Sequence, residues 1–300
     1  MFSHIAQDII DQRIIVDAPI QLTIRRLDQI HPQISGNKFY KLKYNFLAAQ
    51  QQGKTTIITF GGAYSNHIAA TAYAAHLFGF QSIGIIRGEE LASQPLNPTL
   101  ATAQQFGMQL NFISRKQYRL KDDAGYLTTL TTQYSNSYII PEGGTNHLAI
   151  QGCREILSKD DLNHYDVICC AVGTGGTITG LIESSTSLQQ ILGFSALKGD
   201  FLSADVAHMT QKTNWKILDD YCCGGYAKTT PELLQFIENF EKKYQISLEH
   251  IYTGKMLFGI FDLITQNYFR KNSRILVIHS GGLQGKSSPF IIAKRHSKTE

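Results

Sequence analysis

The chain has 300 residues, of which 43% are apolar and 17% charged, and its formal net charge is +4. This composition excludes a disordered chain and supplies a large core, and at about 150 residues per domain the length suits two domains. Lysines and arginines are scattered, apart from a short basic tail at Lys294 and Arg295, so no basic, aromatic-laced surface for nucleic acid is expected.

In chain order, the opening MFSHIAQDIIDQRIIV carries Asp8 and Asp11 where a targeting segment would need an unbroken apolar core. SGNKFYKLKYNFL (35–47) reads as a helix, with Phe39, Leu42, Phe46 and Leu47 on its apolar side. Lys38 and Lys41 stand at its start, where the helix dipole is already positive, so an anion is expected beside them. KTTIITF (54–60) is a strand, ended by GGAYSN and followed by the helical HIAATAYAAHLF. QSIGIIRG (81–88) and MQLNFIS (108–114) are strands, separated by the helical LNPTLATAQQFG (96–107). YDVICCAV (165–172) runs into GTGGT and then a helix from about Thr177, and SRILVIHS (273–280) is a last strand ended by GGLQG. Strands alternating with helices predict α/β structure with mainly parallel sheets. Two lobes are expected, one over 48–138, the other joining 1–47 to 139–300. The pattern does not itself return the N-terminal segment to the second lobe.

The uncharged run Val167–Ile182 is 16 residues long and full of Gly and Thr, too short and polar for a bilayer span of about 20 residues. A cytoplasmic protein is expected. The five cysteines, Cys153, Cys169, Cys170, Cys222 and Cys223, show no CxxC spacing and read as free thiols, with Cys222 and Cys223 as small packing residues. No metal site is expected.

AVGTGGTITG (171–180) is a buried strand, a glycine turn and a helix start, which together make an anion cradle from unpaired N–H groups. Gly173, Gly175 and Gly176 permit close approach, and Thr174 and Thr177 add hydroxyls. The dinucleotide fingerprint fails because its third glycine falls on Ile178. A bare strand-to-helix turn explains the loop equally well. TFGGAYSNHIAA (59–70) repeats the construction: Ser65 and Asn66 are ordinary N-caps, yet with His67 they would also hold a carboxylate. One cradle for a phosphate, one for a carboxylate and a lysine at Lys38 together match pyridoxal phosphate acting on an amino acid. Lys38 is then the Schiff-base lysine, and Lys41, one turn on, neutralises phosphate charge.

SGNKFYKLKY (35–44), FGGAYSNH (60–67), GTGGTITG (173–180), YTGK (252–255) and HSGGLQG (279–285) resemble, as an ordered set, the ACC deaminase and D-cysteine desulfhydrase family. The resemblance runs from about Arg25 to Gly285. It implies the two-lobed, tryptophan synthase β-like fold-type II of pyridoxal-phosphate enzymes, with three-layer lobes, and a homodimer. It implies that Lys38 joins the cofactor, that Lys41, Thr174, Gly175, Gly176 and Thr177 hold its phosphate, and that Asn66 meets its phenolic oxygen. Ser65 and His67 would face the substrate, Ser65 as carboxylate ligand or proton shuttle, with Tyr252 and Tyr226 as active-site tyrosines. ACC deaminases carry Glu at the position of Thr253, against the pyridine nitrogen. A neutral Thr253 there favours β-elimination of D-cysteine to pyruvate, sulfide and ammonia over cyclopropane opening. An ACC deaminase, a non-catalytic binder of the cofactor or an amino acid, and a nucleotide-dependent α/β enzyme are the alternatives. The short N-terminal region, RRLDQIHPQ in place of a Lys-Arg-Glu-Asp element, and Tyr64 in place of glutamine depart from the family on the substrate side.

Overall fold

A computed structural model describes residues 1–287. The basic tail at Lys294 and Arg295 lies outside the described residues. The strands are β1 (Asp11–Ile14), β2 (Gln21–Arg25), β3 (Thr56–Gly61), β4 (Gln81–Arg87), β5 (Met108–Ile113), β6 (Ser137–Ile140), β7 (Val167–Val172), β8 (Gln190–Ser195), β9 (Trp215–Leu218) and β10 (Arg274–Ile278). They form a six-stranded sheet in the order β1-β2-β10-β7-β8-β9 and a four-stranded sheet in the order β5-β4-β3-β6. Every pairing is parallel except β1 with β2. The α/β class with mainly parallel sheets is what the chain adopts.

The central strands are buried along their whole length. β3 (TIITFG) and β7 (VICCAV) expose no residue, as strands covered by helices on both faces require. Helix starts follow the side-chain chemistry. Ser65 caps Asn66–Phe78, Asn97 caps Pro98–Gln105, and Thr230 caps Pro231–Tyr244, each accepting a backbone N–H.

The N-terminal segment does return to the larger sheet. β2 lies parallel to β10, with Leu22 opposite Ile275 and Ile24 opposite Val277, and β1 folds back on β2. Both are short; β1 buries only Ile14, whereas β2 (QLTIR) alternates polar and apolar residues, a strand signal that the sequence reading passed over. The boundaries expected at 47/48 and 138/139 fall inside elements. The first cuts the helix Asn37–Gln51 and the second cuts β6, which Pro141 terminates.

Arg25 locks this return. Its guanidinium donates to both oxygens of Asp11 at 2.8 and 2.6 Å, to both oxygens of Asp161 at 2.7 and 2.9 Å, and to the Ile156 carbonyl at 2.8 Å. Arg25 and Asp161 are 8% and 5% exposed. Burial alone would raise the Asp161 carboxyl, but hydrogen bonds from Arg25 and Ser158 hold it below its ordinary value. A depressed carboxyl stabilises the fold above its unfolded-state pKa, and that stability is lost as pH falls through the folded value. Arg25→Ala leaves the Asp161 charge buried and unpaired. Equilibrium urea denaturation at neutral pH should lose about 3–5 kcal/mol, and a loss under about 1 kcal/mol would rule out this lock.

Candidate active site

The helix Asn37–Gln51 starts by pressing its backbone onto the end of β10. Gly36 has φ +67°, and a Cβ there would lie 1.9 Å from the Ser280 carbonyl oxygen. Asn37 N–H donates to that same carbonyl at 3.2 Å. Only glycine tolerates both the torsion and the approach. This contact fixes the first turn, and with it Lys38 and Lys41. Lys38 Nζ donates to Asn37 Oδ1 at 3.0 Å, and burial pushes its ammonium down to about 8, against the opposing influence of Cys153 and Glu249.

Lys41 is 2% exposed. Its Nζ donates to the Gly143 carbonyl at 2.8 Å, to Thr145 Oγ1 at 2.8 Å and to Thr174 Oγ1 at 3.2 Å. None of these acceptors is charged, and among the described residues no carboxylate pairs with it. Burial, with Lys38 nearby, pushes it down to about 7. A buried cation is expensive without a counter-charge. The surroundings are those of an anion site. Gly175 is the N-cap of the helix Gly176–Ser184, and a Cβ on Gly176 would sit 2.9 Å from Thr145 Oγ1 and 3.2 Å from Lys41 Cε. Thr177 Oγ1 accepts from Asn37 Nδ2 at 2.8 Å, which ties this helix start to that of Lys38.

The opposite wall comes from the end of β3. Ser65 Oγ accepts from the Ile68 N–H at 3.4 Å. Asn66 Nδ2 reaches the Gly282 carbonyl only at 3.5 Å, and its Oδ1 is buried without a partner. His67, 1% exposed, meets Thr59 Oγ1 through Nε2 at 2.8 Å. Thr59 gives its one hydroxyl proton to the Ile140 carbonyl, so Nε2 must carry the imidazole proton. Nδ1 is then an acceptor, buried and without a partner. Burial, with Lys38 and Lys41 alongside, holds the ring neutral, well below its usual pKa.

Lys38, Lys41, Ser65, Asn66, His67, Gly173, Thr174, Gly175, Thr177, Tyr226 and Tyr252 all line one cavity of about 470 Å³. It opens at the C-terminal ends of β3, β7 and β10, the usual position for a ligand site in parallel sheets. Tyr252 packs on Gly173, where a Cβ would lie 3.0 Å from its Cε1, and Tyr226 meets it edge to face at 6.1 Å. A phosphate monoester suits the buried cation and its hydroxyls, and the orphaned Asn66 and His67 atoms suit a polar ring beside it.

The family profile described as pyridoxal-phosphate dependent enzyme matches residues 25–281. The chain belongs to that family. Its cofactor is pyridoxal 5'-phosphate. It is 31% identical over 300 residues to a mitochondrial bifunctional D-cysteine desulfhydrase/1-aminocyclopropane-1-carboxylate deaminase of Arabidopsis thaliana, covering 88% of this chain and 73% of that one. It is 26% identical over 291 residues to a D-cysteine desulfhydrase of Klebsiella pneumoniae, covering 87% of each. A solved structure described as an ACC deaminase homologue superposes with a TM-score of 0.82 at 24% identity, over 98% of this chain and 94% of that one, and supports the fold.

Two expected residues stand off the wall of this pyridoxal-phosphate enzyme's cavity. Gly176 lies behind Thr145 and Lys41. Thr253 is fully buried, and its hydroxyl donates to Glu249 Oε1 at 3.0 Å. Glu249 explains the difference. Its carboxylate accepts the N–H groups of Ile251 at 2.6 Å, Tyr252 at 2.8 Å and Thr253 at 2.5 Å, capping the helix Thr253–Thr265. Burial pushes the Glu249 carboxyl up, against those bonds. Sequence reasoning missed Glu249, although an acid just before a helix start is a recognisable signal. It also missed Thr145, Glu142 and Ser280. Thr145 and Glu142 flank the connection after β6, a strand that was not foreseen.

The Lys41 geometry sets a pH dependence. The cation is present below about 7 and lost above it, so anion affinity should fall as pH rises. Sulfate keeps its charge throughout this range. Calorimetric titration of cofactor-free protein with sulfate should give affinity weaker by about 30-fold at pH 8.5 than at pH 6. Lys41→Gln should bind weakly and keep only the shallower pH dependence that Lys38, lowered to about 8 in the same cavity, leaves. Native binding indifferent to pH would remove Lys41 from the anion site.

Proposed function

We propose that the chain catalyses β-elimination with deamination of a small amino acid, D-cysteine first, giving pyruvate, sulfide and ammonia. The supporting observation is the pair of depressed lysines at one helix start, one ready to hold a phosphate and the other to move a proton. Bound pyridoxal phosphate supplies the sink for the electron pair left when the α-proton departs. Lys38 holds the cofactor and, once released as a neutral amine, takes that proton on Nζ. An ordinary pKa reduced to about 8 leaves some neutral amine near neutral pH. Lys41, Thr174, Gly175, Gly176 and Thr177 hold the phosphate. Ser65 and the first N–H groups of its helix receive the substrate carboxylate, with Asn66 and His67 beside the ring. Burial raises the Tyr252 and Tyr226 hydroxyls, which keeps both as proton donors.

The choice of D-cysteine rests on the Klebsiella relative's name and on the wall formed by Ile251, Tyr252, Ser280, Gly281 and Gly282, none of which is a carboxylate. 1-Aminocyclopropane-1-carboxylate is the second reading, because the Arabidopsis relative carries both names. Lobes meeting at this cavity, a homodimer and a cytoplasmic location belong to the same proposal. No helix among the described residues is long and apolar enough to cross a membrane.

The test is pyruvate, sulfide and 2-oxobutyrate release from D-cysteine, L-cysteine and 1-aminocyclopropane-1-carboxylate by the cofactor-loaded enzyme. Sulfide and pyruvate should come from D-cysteine and vanish in Lys38→Ala. Borohydride should fix the cofactor on Lys38, read by peptide mass. Formation of 2-oxobutyrate without sulfide would replace the first reading by the second.

A further inference from the structure

The cavity wall carries a third cation besides Lys38 and Lys41. Arg87 is the last residue of β4, and β4 pairs Ile86 with Gly61 at the end of β3. The Arg87 side chain therefore emerges beside the loop that leads to Ser65. A Cβ on Gly62 would lie 3.5 Å from Arg87 Nη2. The guanidinium lies over the Tyr118 ring, 5.7 Å from its centroid. Tyr118 is buried, and its hydroxyl donates to Glu142 Oε1 at 2.7 Å. Glu142 also lines the cavity, yet its nearest basic partner is Lys121 at 3.7 Å. Among the described residues Arg87 makes no ion pair and no hydrogen bond. By contrast, Arg25, Arg26, Arg115 and Arg274 each pair with a carboxylate.

A surface arginine stacked on tyrosine is a common enough arrangement. Here the stack engages only the face of the guanidinium and leaves its five N–H donors for something else. Two anions of the reaction already have receivers. The cofactor phosphate has Lys41, and the substrate carboxylate has the Ser65 helix start. If those assignments hold, the group left for Arg87 is the substituent on the substrate β-carbon.

On the reading that this cavity holds a small amino acid, we propose that Arg87 is a specificity residue selecting substrates whose β-substituent is negatively charged. The substrate class is then an amino acid with a carboxylate or sulfur oxyanion attached at Cβ or beyond, or cysteine taken as its thiolate, the smallest such anion. Arg87 is suited to this because its planar fork takes a carboxylate or sulfonate through two parallel bonds. Tyr118 holds that fork in place, and Glu142, held off by Tyr118 and Lys121, does not neutralise it.

The test uses the holoenzyme and isosteric pairs that differ only in charge. The cofactor absorbance is titrated with aspartate against asparagine and glutamate against glutamine, in both enantiomers, with alanine as the side-chain-free control. The acids should bind about tenfold more tightly than their amides, the difference between a charge-assisted and a neutral contact. Arg87→Gln should abolish that preference and leave alanine unchanged within about twofold. Arg87→Lys should keep part of it. Equal binding of acid and amide by the native enzyme overturns the proposal. So does an Arg87→Gln variant that weakens alanine as much as aspartate, since Arg87 would then hold the α-carboxylate. Sulfide release from D-cysteine without any acid preference defeats the Arg87 assignment alone. Acid preference without turnover of D-cysteine defeats the reaction assigned above and leaves Arg87 standing. Failure of every amino acid to alter the absorbance defeats both.

Discussion

A buried ammonium without a carboxylate organises this molecule. Lys41 sits among a carbonyl and two threonine hydroxyls, and it is placed there by the approach of Gly36 to Ser280. That approach joins the start of one helix to the end of β10. The Asn37–Thr177 bond joins the same helix to the turn after β7. Three glycine-bearing loops are thereby drawn around one point, and each brings donors rather than negative charge. The arrangement is unfavourable until an anion arrives, which is the usual economy of a ligand site: local stability is sacrificed for pre-organised charge.

The landmarks that carry chemistry were legible because each has a local signature. Gly-Asn-Lys at a helix start, Gly-Gly before Ser-Asn, and the glycine turn after an all-apolar strand are readable residue by residue. The long buried strands β3, β4, β7 and β10 were legible for the same reason: short runs of apolar and β-branched residues between turn signals. β1 was not, because it buries only Ile14 and is held by its register on β2 and by Arg25; β2 alternates polar and apolar residues but is only five residues long and was passed over. Asp11 and Asp161 lie 150 residues apart in the chain and meet only through that guanidinium. No window of sequence contains that relation.

Thr253 illustrates a different limit. Its place in YTGK gives its position along the chain but not the direction of its side chain. Direction is decided four residues earlier, where Glu249 turns back to cap the helix and takes the Thr253 hydroxyl with it. Helix capping thus claims the Thr253 hydroxyl, in a cap that also satisfies three otherwise unpaired N–H groups.

The same competition explains how charge is distributed around the cavity. Glu249 is close enough to influence Lys38, yet its oxygens are committed to the backbone of Ile251, Tyr252 and Thr253. Glu142 is engaged by Tyr118 and Lys121. His67 is kept neutral by burial, with the two lysines adding to it, and is oriented by Thr59, so it adds polarity without charge. Among the described residues Glu249 and Glu142 are therefore both engaged elsewhere, while Lys38, Lys41 and Arg87 line the cavity. A cavity built in this way discriminates by what it lacks. On the roles proposed above, ligands bring the negative charge, and the number of such charges they place at once, on phosphate, α-carboxylate and β-substituent, sets how tightly they are held.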